Sequence, residues 1–395
     1  MAYFRSPKIL FGSGILRKIG SELEGMGKKA VLIAGKRSAK LSDQLVEVLA
    51  KAGFEVNVWD GAEPEPSIEV AKSASEVLAE FNPQLVIGFG GGSAIDTAKA
   101  AWVFWERPDL VSKEIEKIIN PKNKLNLRQK AKFMAVPTTS GTGSEVNWAI
   151  VLTDKGNHRK IGVANNEIVP DIALLVPELT AGMPPSLTAS TGLDVLGHAF
   201  DAYTARQQND FSDGLCLQAM KIAFEWLPVA YKDGNNIGAR EKMQNAAAIA
   251  GLGFGNSNTS LCHALAHAIG ASFGIPHGRA VGIILPYSLE YISSNPPLAN
   301  TPDPTDKLSH AAKYLGIKLG SAREAVQWLV KEIRQLGMGI GQPLTLKQAG
   351  IDKEELKKRM DSLVSLARSD VNMFSCPCEC KEENIKEIFL NMYSE

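Results

Sequence analysis

The chain has 395 residues, 45% of them hydrophobic and 22% charged, which is enough for sizeable cores in two or three domains with a polar surface. Lysine plus arginine equals aspartate plus glutamate at 43 each, so no basic field argues for nucleic acid or an anionic membrane as partner. The opening MAYFRSPKILFGSG shows no signal-type pattern and no apolar run reaches the ~20 residues of a membrane span, so a cytoplasmic protein is expected.

In chain order, KKAVLIAG reads as a strand entering a turn and SDQLVEVLAKAG as a helix closed by a glycine. FEVNVWD is a second strand and PSIEVAKSASEVLAEF a second helix. PQLVIGFGGGSAIDTAKAAW then runs strand, glycine loop, helix, and AKFMAVPTTSGTGSE and VPDIALLVPELT add two strand-like runs. Strands alternating with helices of this length imply βαβ units and a parallel sheet. After GMPPSLTASTG the periodicity becomes helical, in DVLGHAFDAYTA, GLCLQAMKIAFEWLPVA, REKMQNAAAIAGLGF, SLCHALAHAIGASF and AREAVQWLVKEIRQL. The expected fold is therefore a Rossmann-like α/β domain over 1–183 followed by an all-α domain over 184–395. SNPPLANTPDPTDK reads as an exposed loop within the helical half.

GFGGGSAIDTAK lies where the apolar strand LVIGF gives way to a helix. Glycines there let the backbone approach a pyrophosphate, and the amides opening the helix point at phosphate oxygens with the helix dipole behind them. Gly90, Gly91, Gly92 and Ser93 are the candidates, although the spacing is not G-x-G-x-x-G. PTTSGTGSE adds Thr138, Thr139, Ser140, Thr142 and Ser144 around two glycines, hydroxyls suited to phosphate or ribose and equally to a capped turn.

Three of the six histidines fall within fifteen residues, in LCHALAHAIGASFGIPHG. His263 and His267 stand four apart on a helical pattern, and Asp194 and His198 repeat that spacing on another, so each pair shares a helix face. His277 follows in IPHG, read as a tight turn between Pro276 and Gly278. Paired ligands on facing helices plus a loop ligand are how a bundle core builds a metal site. A carboxylate with imidazoles suits Fe²⁺ or Zn²⁺ rather than Mg²⁺ or Ca²⁺. Spacing alone leaves open which four of these five groups would bind, the fifth then being a proton-relay candidate. The remaining cysteine-rich stretch, FSCPCEC, matches no common zinc spacing and reads as a surface loop.

GGGSAIDTAK, PTTSGTGSE, TGLDVLGHAFDAY and HALAHAIGASFGIPHG, in this order and spacing, resemble the iron-containing (group III) alcohol dehydrogenase family over essentially the whole chain. The resemblance implies a dehydroquinate synthase-like architecture, with an N-terminal dinucleotide domain, a C-terminal helical metal domain and a site between them. It implies Asp194, His198, His263 and His277 as metal ligands, with Fe²⁺ or alternatively Zn²⁺ bound, and His267 beside the nicotinamide as catalytic and cofactor-contacting group. Gly91, Gly92 and Ser93 would hold the pyrophosphate, with Thr138, Thr139 and Thr142 along the cofactor. Lys160, Leu179 and Gly182 would be further cofactor contacts. Asp96 and Lys99 complete the GGGSxxDxxK pattern, Asp96 standing with His267 as a catalytic candidate. Where many NAD-preferring members carry an aspartate after the first strand, AGKRSAK offers Gly35 among Lys36, Arg37, Ser38 and Lys40. That basic loop points to NADP(H), with NAD(H) the alternative. The implied activity is metal-dependent hydride transfer on short primary alcohols or aldehydes by a homodimer. A lyase resembling dehydroquinate synthase or a sugar-phosphate dehydrogenase is the alternative, and Arg206 and Arg279 alone are few bases for a phosphorylated substrate.

Overall fold

A computed structural model describes residues 4–110, 115, 120–121, 123–156, 159–318 and 320–394. The chain divides into two units, one of residues 1–182 with 235–251 and one of residues 183–234 with 252–395. Sequence periodicity alone places one boundary at 183/184, with 235–251 in the helical half. Here that segment belongs with the first unit, because Gln244 Nε2 donates to the Pro137 carbonyl at 3.2 Å and the Gly251 backbone abuts Gly143.

The first unit is built on a six-stranded parallel sheet. Its strands are β1 (Lys8–Phe11), β2 (Lys29–Gly35), β3 (Glu55–Ala62), β4 (Leu85–Gly90), β5 (Lys132–Pro137) and, in chain order after a hairpin, β8 (Ile172–Leu175). The spatial order is β1-β8-β5-β4-β2-β3. The hairpin, β6 (Ala149–Asp154) with β7 (Arg159–Ala164), is antiparallel and separate. The central strands β2 and β4 are apolar and buried on both faces, as a parallel sheet covered on two sides requires. Helices α1 (Lys36–Ala39), α2 (Asp43–Lys51), α3 (Ile68–Phe81) and α4 (Gly92–Glu106) follow strands β2, β3 and β4. Helix α4 is buried continuously from Ala94 to Glu106, and its alanines let it lie close on the sheet. The chain leaves β2 outward to β3 and then crosses back to β4 on the other side of β2. The crevice at the carboxyl ends of β2 and β4 is thus the topological switch point at which such sheets bind ligands.

The second unit contains α5 (Pro185–Thr204), α6 (Asp210–Lys232), the end of α7 (Ile237–Gly255), α8 (Leu261–Phe273) and α9 (His277–Ser294). They are followed by α10 (Pro304–Tyr314), α11 (Ala322–Gly339), α12 (Lys353–Ser369) and α13 (Glu382–Ser394). No strand occurs in it among the described residues. No described helix is long and apolar enough to cross a membrane. Two local readings are corrected. His277 is the first residue of α9, with Pro276 as its N-cap, rather than a turn residue, since Pro276 has the extended backbone that precedes a helix. The FSCPCEC stretch is not a surface loop, because Cys376 and Cys378 are each only 2% exposed.

Candidate metal and dinucleotide sites

The helical unit gathers its titratable groups around one carboxylate oxygen. Asp194 and His198, one turn apart on α5, face the same side as His263 on α8 and His277 at the start of α9. Helix α9 comes close enough to α5 for this because position 278 is glycine. A Cβ there would stand 2.3 Å from the Ser190 carbonyl oxygen. Asp194 Oδ1 lies 3.4 Å from His277 Nε2 and 3.8 Å from both His263 Nε2 and His198 Nδ1. Ligand atoms of Asp194, His263 and His277 all fall within 4.8 Å of one another. His198 stands outside that tight triad, its ring stacked between those of His263 (4.4 Å) and Phe254 (4.5 Å).

Asp194 Oδ1, His198 Nδ1 and His263 Nε2 are buried without any hydrogen-bond partner. A buried polar atom left unpaired costs about 1–3 kcal/mol, and three aimed at one point fit a shared cation. Charges agree with this. Burial alone would raise the Asp194 pKa, but the imidazoles of His198, His277 and His263 outweigh it and hold the carboxyl well below the usual range. Burial pushes His198 down to about 3, against the pull of Asp194, so its ring is neutral and its lone pair available. One carboxylate with three imidazoles is a donor set for Fe²⁺ or Zn²⁺.

Two residues that the sequence reading did not single out orient these rings. Asp201 Oδ2 accepts from His263 Nδ1 at 2.8 Å, and its carboxylate also receives the amides of Ser260, Cys262 and His263. The proton on Nδ1 leaves Nε2 with an unprotonated lone pair facing Asp194. Asp201 follows Asp194 by seven residues on α5, two turns along the same face, and that D-x3-H-x2-D spacing was the available signal. Asp370 Oδ2 meets His267 Nδ1 at 2.7 Å, and nothing in sequence links residues 103 apart. His267, like His263, thus has a carboxylate partner from outside the five candidate groups. Its ring centroid lies 5.2 Å from that of His277. Replacing Asp201 with Asn is expected to weaken metal affinity about 10- to 100-fold while the protein stays folded, as read by competition with a chromogenic chelator.

In the α/β unit the two loops adjoin. The Thr138 amide donates to the Gly90 carbonyl at 2.9 Å. A Cβ at Gly91 would lie 3.4 Å from Thr139 Cγ2, and one at Gly92 2.8 Å from Thr142 Oγ1. Gly90, at φ 143°, turns the chain from β4 into α4. Gly91 is the N-cap of α4 without a side-chain cap, so the amides of Gly92 and Ser93 open the helix free of intrahelical partners. Buried Ser140 Oγ also has no partner. These features fit a bound pyrophosphate. Lys36, Arg37 and Lys40 are exposed at and after α1, beside the carboxyl end of β2.

The other expected contacts are placed less directly. Lys160 on β7 pairs with Glu65 at 3.0 Å. Leu179 packs in the core beneath the sheet, and Gly182 has open space around it. Asp96 receives hydrogen bonds on both oxygens, from Ser144 Oγ and from the Val151 amide at 2.9 Å. Lys99 holds the carbonyls of Asn147 at 2.9 Å and Ala149 at 3.1 Å. Burial pushes Lys99 down to about 8, opposed by Asp96 and Glu145, and pushes Glu145 up to about 7.

A parallel sheet with a glycine-lined switch point and a helical unit with a carboxylate–imidazole pocket define a metal-dependent, dinucleotide-linked oxidoreductase. The family profile "Iron-containing alcohol dehydrogenase" matches residues 6–177, and "Fe-containing alcohol dehydrogenase family, C-terminal" matches 188–393. The chain belongs to the iron-containing alcohol dehydrogenase family. It is 36% identical to the NADPH-dependent butanol dehydrogenase of Clostridium saccharobutylicum, over 100% of this chain and 98% of that one. It is 32% identical to the 1-propanol dehydrogenase of Salmonella typhimurium, over 84% of each. The alcohol dehydrogenase of Oenococcus oeni superposes with a TM-score of 0.91 at 30% identity, covering 100% of both chains. Relatives also include longer aldehyde-alcohol dehydrogenases, of which this chain spans less than half.

Proposed function

We propose that this enzyme interconverts short primary alcohols and aldehydes with NADP(H), using one Fe²⁺, or alternatively Zn²⁺, held by Asp194, His198, His263 and His277. The observation that carries the reading is the convergence of three imidazoles on one buried carboxylate oxygen, with Asp194 Oδ1, His198 Nδ1 and His263 Nε2 lacking hydrogen-bond partners. When bound, the cation supplies Lewis acidity towards the oxygen of the alcohol or aldehyde. The chain's own residues do the rest. Asp194 provides the negative charge that balances the site, and Asp201 fixes the His263 tautomer. Phe254, stacked on His198, covers that ring and keeps water from it. Asp370 accepts a hydrogen bond from His267 Nδ1, so Nε2 of His267 is the atom that accepts or returns the hydroxyl proton. Gly91, Gly92 and Ser93 bind the pyrophosphate, with Thr138, Thr139 and Thr142 beside them. Lys160, Leu179 and Gly182 are carried as contacts by the family pattern. With both oxygens engaged by the chain, Asp96 acts by positioning the second loop rather than by proton transfer.

Lys36 and Arg37, where an acid would repel a 2′-phosphate, support the NADP(H) preference. The metal-loaded enzyme is expected to consume NADPH with butanal, followed at the nicotinamide absorbance band. No turnover with any short aldehyde, under either cofactor and either metal, would remove the assignment. The Lys36→Glu/Arg37→Glu variant is expected to lose about 10- to 100-fold in kcat/KM for NADPH and little for NADH. The reading extends to a cytoplasmic homodimer, carried by the family resemblance and checked by sedimentation and cell fractionation.

A further inference from the structure

Lys99 stands on α4, the helix whose opening amides face the pyrophosphate site, yet it has no part in the chemistry above. Its side chain is 0% exposed. An ammonium held there has lost its hydration and must be repaid by the groups around it. Its acceptors among the described residues come from one short stretch of the second loop. Lys99 Nζ donates to the Asn147 carbonyl at 2.9 Å and to the Ala149 carbonyl at 3.1 Å, with Ser144 Oγ and Asn147 Oδ1 each at 3.5 Å.

Residues 138–148 contain neither helix nor strand, so regular backbone ladders do not fix their course. One face of α4 does so instead, at positions 92, 96 and 99 on successive turns. At Gly92 the helix abuts Thr142, where a Cβ would stand 2.8 Å from Oγ1. Asp96 accepts from Ser144 Oγ and from the Val151 amide. Lys99 then gathers Ser144, Asn147 and Ala149. The ties continue inside the loop. The Ser144 amide donates to Thr142 Oγ1 at 3.3 Å, and Asn147 Nδ2 donates to the Gly143 carbonyl at 2.8 Å. Releasing residues 144–149 from Lys99 therefore loosens Thr142 from Gly92, where the two glycine-containing loops adjoin.

We infer that Lys99 is a positioning residue for the cofactor. Its ammonium, through Ser144, Asn147 and Ala149, holds the second loop against the opening of α4, so that Gly92, Ser93, Thr138, Thr139 and Thr142 form one site. The inference deepens the NADP(H) reading of that site and rests on it. Lys99 itself does not touch the dinucleotide. Its effect falls on cofactor affinity rather than on the chemical step, which is the pattern of a raised KM with kcat unchanged.

The test titrates iron-loaded enzyme with NADPH, following nicotinamide fluorescence, and measures kcat and KM with butanal. Lys99→Met keeps the length and apolar stem of the side chain and removes the charge and every donor. It is expected to raise both Kd and KM for NADPH by about 10-fold or more, with kcat within about threefold of wild type. Ser144→Ala, a milder cut in the same network, should raise Kd by about threefold. Trp102→Phe controls for damage to α4 in general. Trp102 is fully buried one turn beyond Lys99, and its indole N–H donates to the Ala131 carbonyl at 3.2 Å, at the end of β5 remote from the loops. That variant should melt lower and bind NADPH within about twofold of wild type. Folded Lys99→Met that binds NADPH as wild type does, a loss confined to kcat, or a Trp102→Phe loss of affinity as large as that of Lys99→Met would overturn the inference. Should Lys99→Met not fold, an unchanged Kd in Ser144→Ala would overturn it. Wild type that fails to bind NADPH would instead remove the dinucleotide reading itself, and this inference with it.

Discussion

Asp194→Asn is expected to abolish metal retention and lower turnover by a factor on the order of 10³, since polarisation of the substrate oxygen is worth several kcal/mol and each 1.36 kcal/mol is tenfold. The amide keeps the shape of the carboxylate but removes the charge towards which His198, His263 and His277 converge. Because the surrounding imidazoles hold the Asp194 carboxyl well below its usual range, the ionised carboxylate contributes stability near neutral pH that the amide lacks. The melting temperature of the metal-free variant should therefore fall below that of metal-free wild type. Ferrous iron, binding only the folded wild type, raises its melting temperature by mass action and leaves the variant unmoved. Elemental analysis of anaerobically purified protein, with the two melting curves, checks both halves. A variant that keeps its metal and its turnover would displace Asp194 from the centre.

Gly143→Ala is expected to be strongly destabilising to the α/β unit. Gly143 has φ 60°, and a Cβ there would stand 2.6 Å from the Gly251 Cα and 3.0 Å from the Ala247 carbonyl oxygen. Those are backbone atoms, so no rotamer relieves the clash, and the loop bearing Thr138, Thr139 and Thr142 must move. Left-handed strain of about 1–2 kcal/mol adds to overpacking of about 1–3 kcal/mol. A fall in melting temperature of roughly 5–10 °C follows, with a raised KM for NADPH. Gly20→Ala, where a Cβ meets nothing within 4 Å, is the control and should shift stability by no more than about 0.5 kcal/mol. Equal melting temperatures for the two variants would contradict the close approach.

The sheet was legible where burial imposes a long apolar run, as in LVIGF, and the helices where periodicity persists, as in AREAVQWLVKEIRQL. Strand β1 was not, because four residues at a sheet edge, half-exposed, carry too little pattern. Helix α9 was hidden by its run GIILPY, apolar on every side with Pro286 inside it, and so His277 looked like a turn residue. The metal pocket was readable from repeated four-residue spacings, which place side chains on one face before any packing is known. Asp370 was not, because it reaches His267 only through tertiary packing. The burial of the thiols at 376 and 378 is not legible in sequence, since the strap that carries them is held by the Leu298 amide and the Tyr291 hydroxyl rather than by a local apolar pattern.

The most direct measurement is anomalous X-ray diffraction at the iron edge from crystals of anaerobically purified enzyme. The account predicts one peak per chain at about 2.0–2.2 Å from a carboxylate oxygen of Asp194 and from one ring nitrogen each of His198, His263 and His277. A peak elsewhere in a fully loaded protein, or one bound by His267 in place of any of those four, would contradict it.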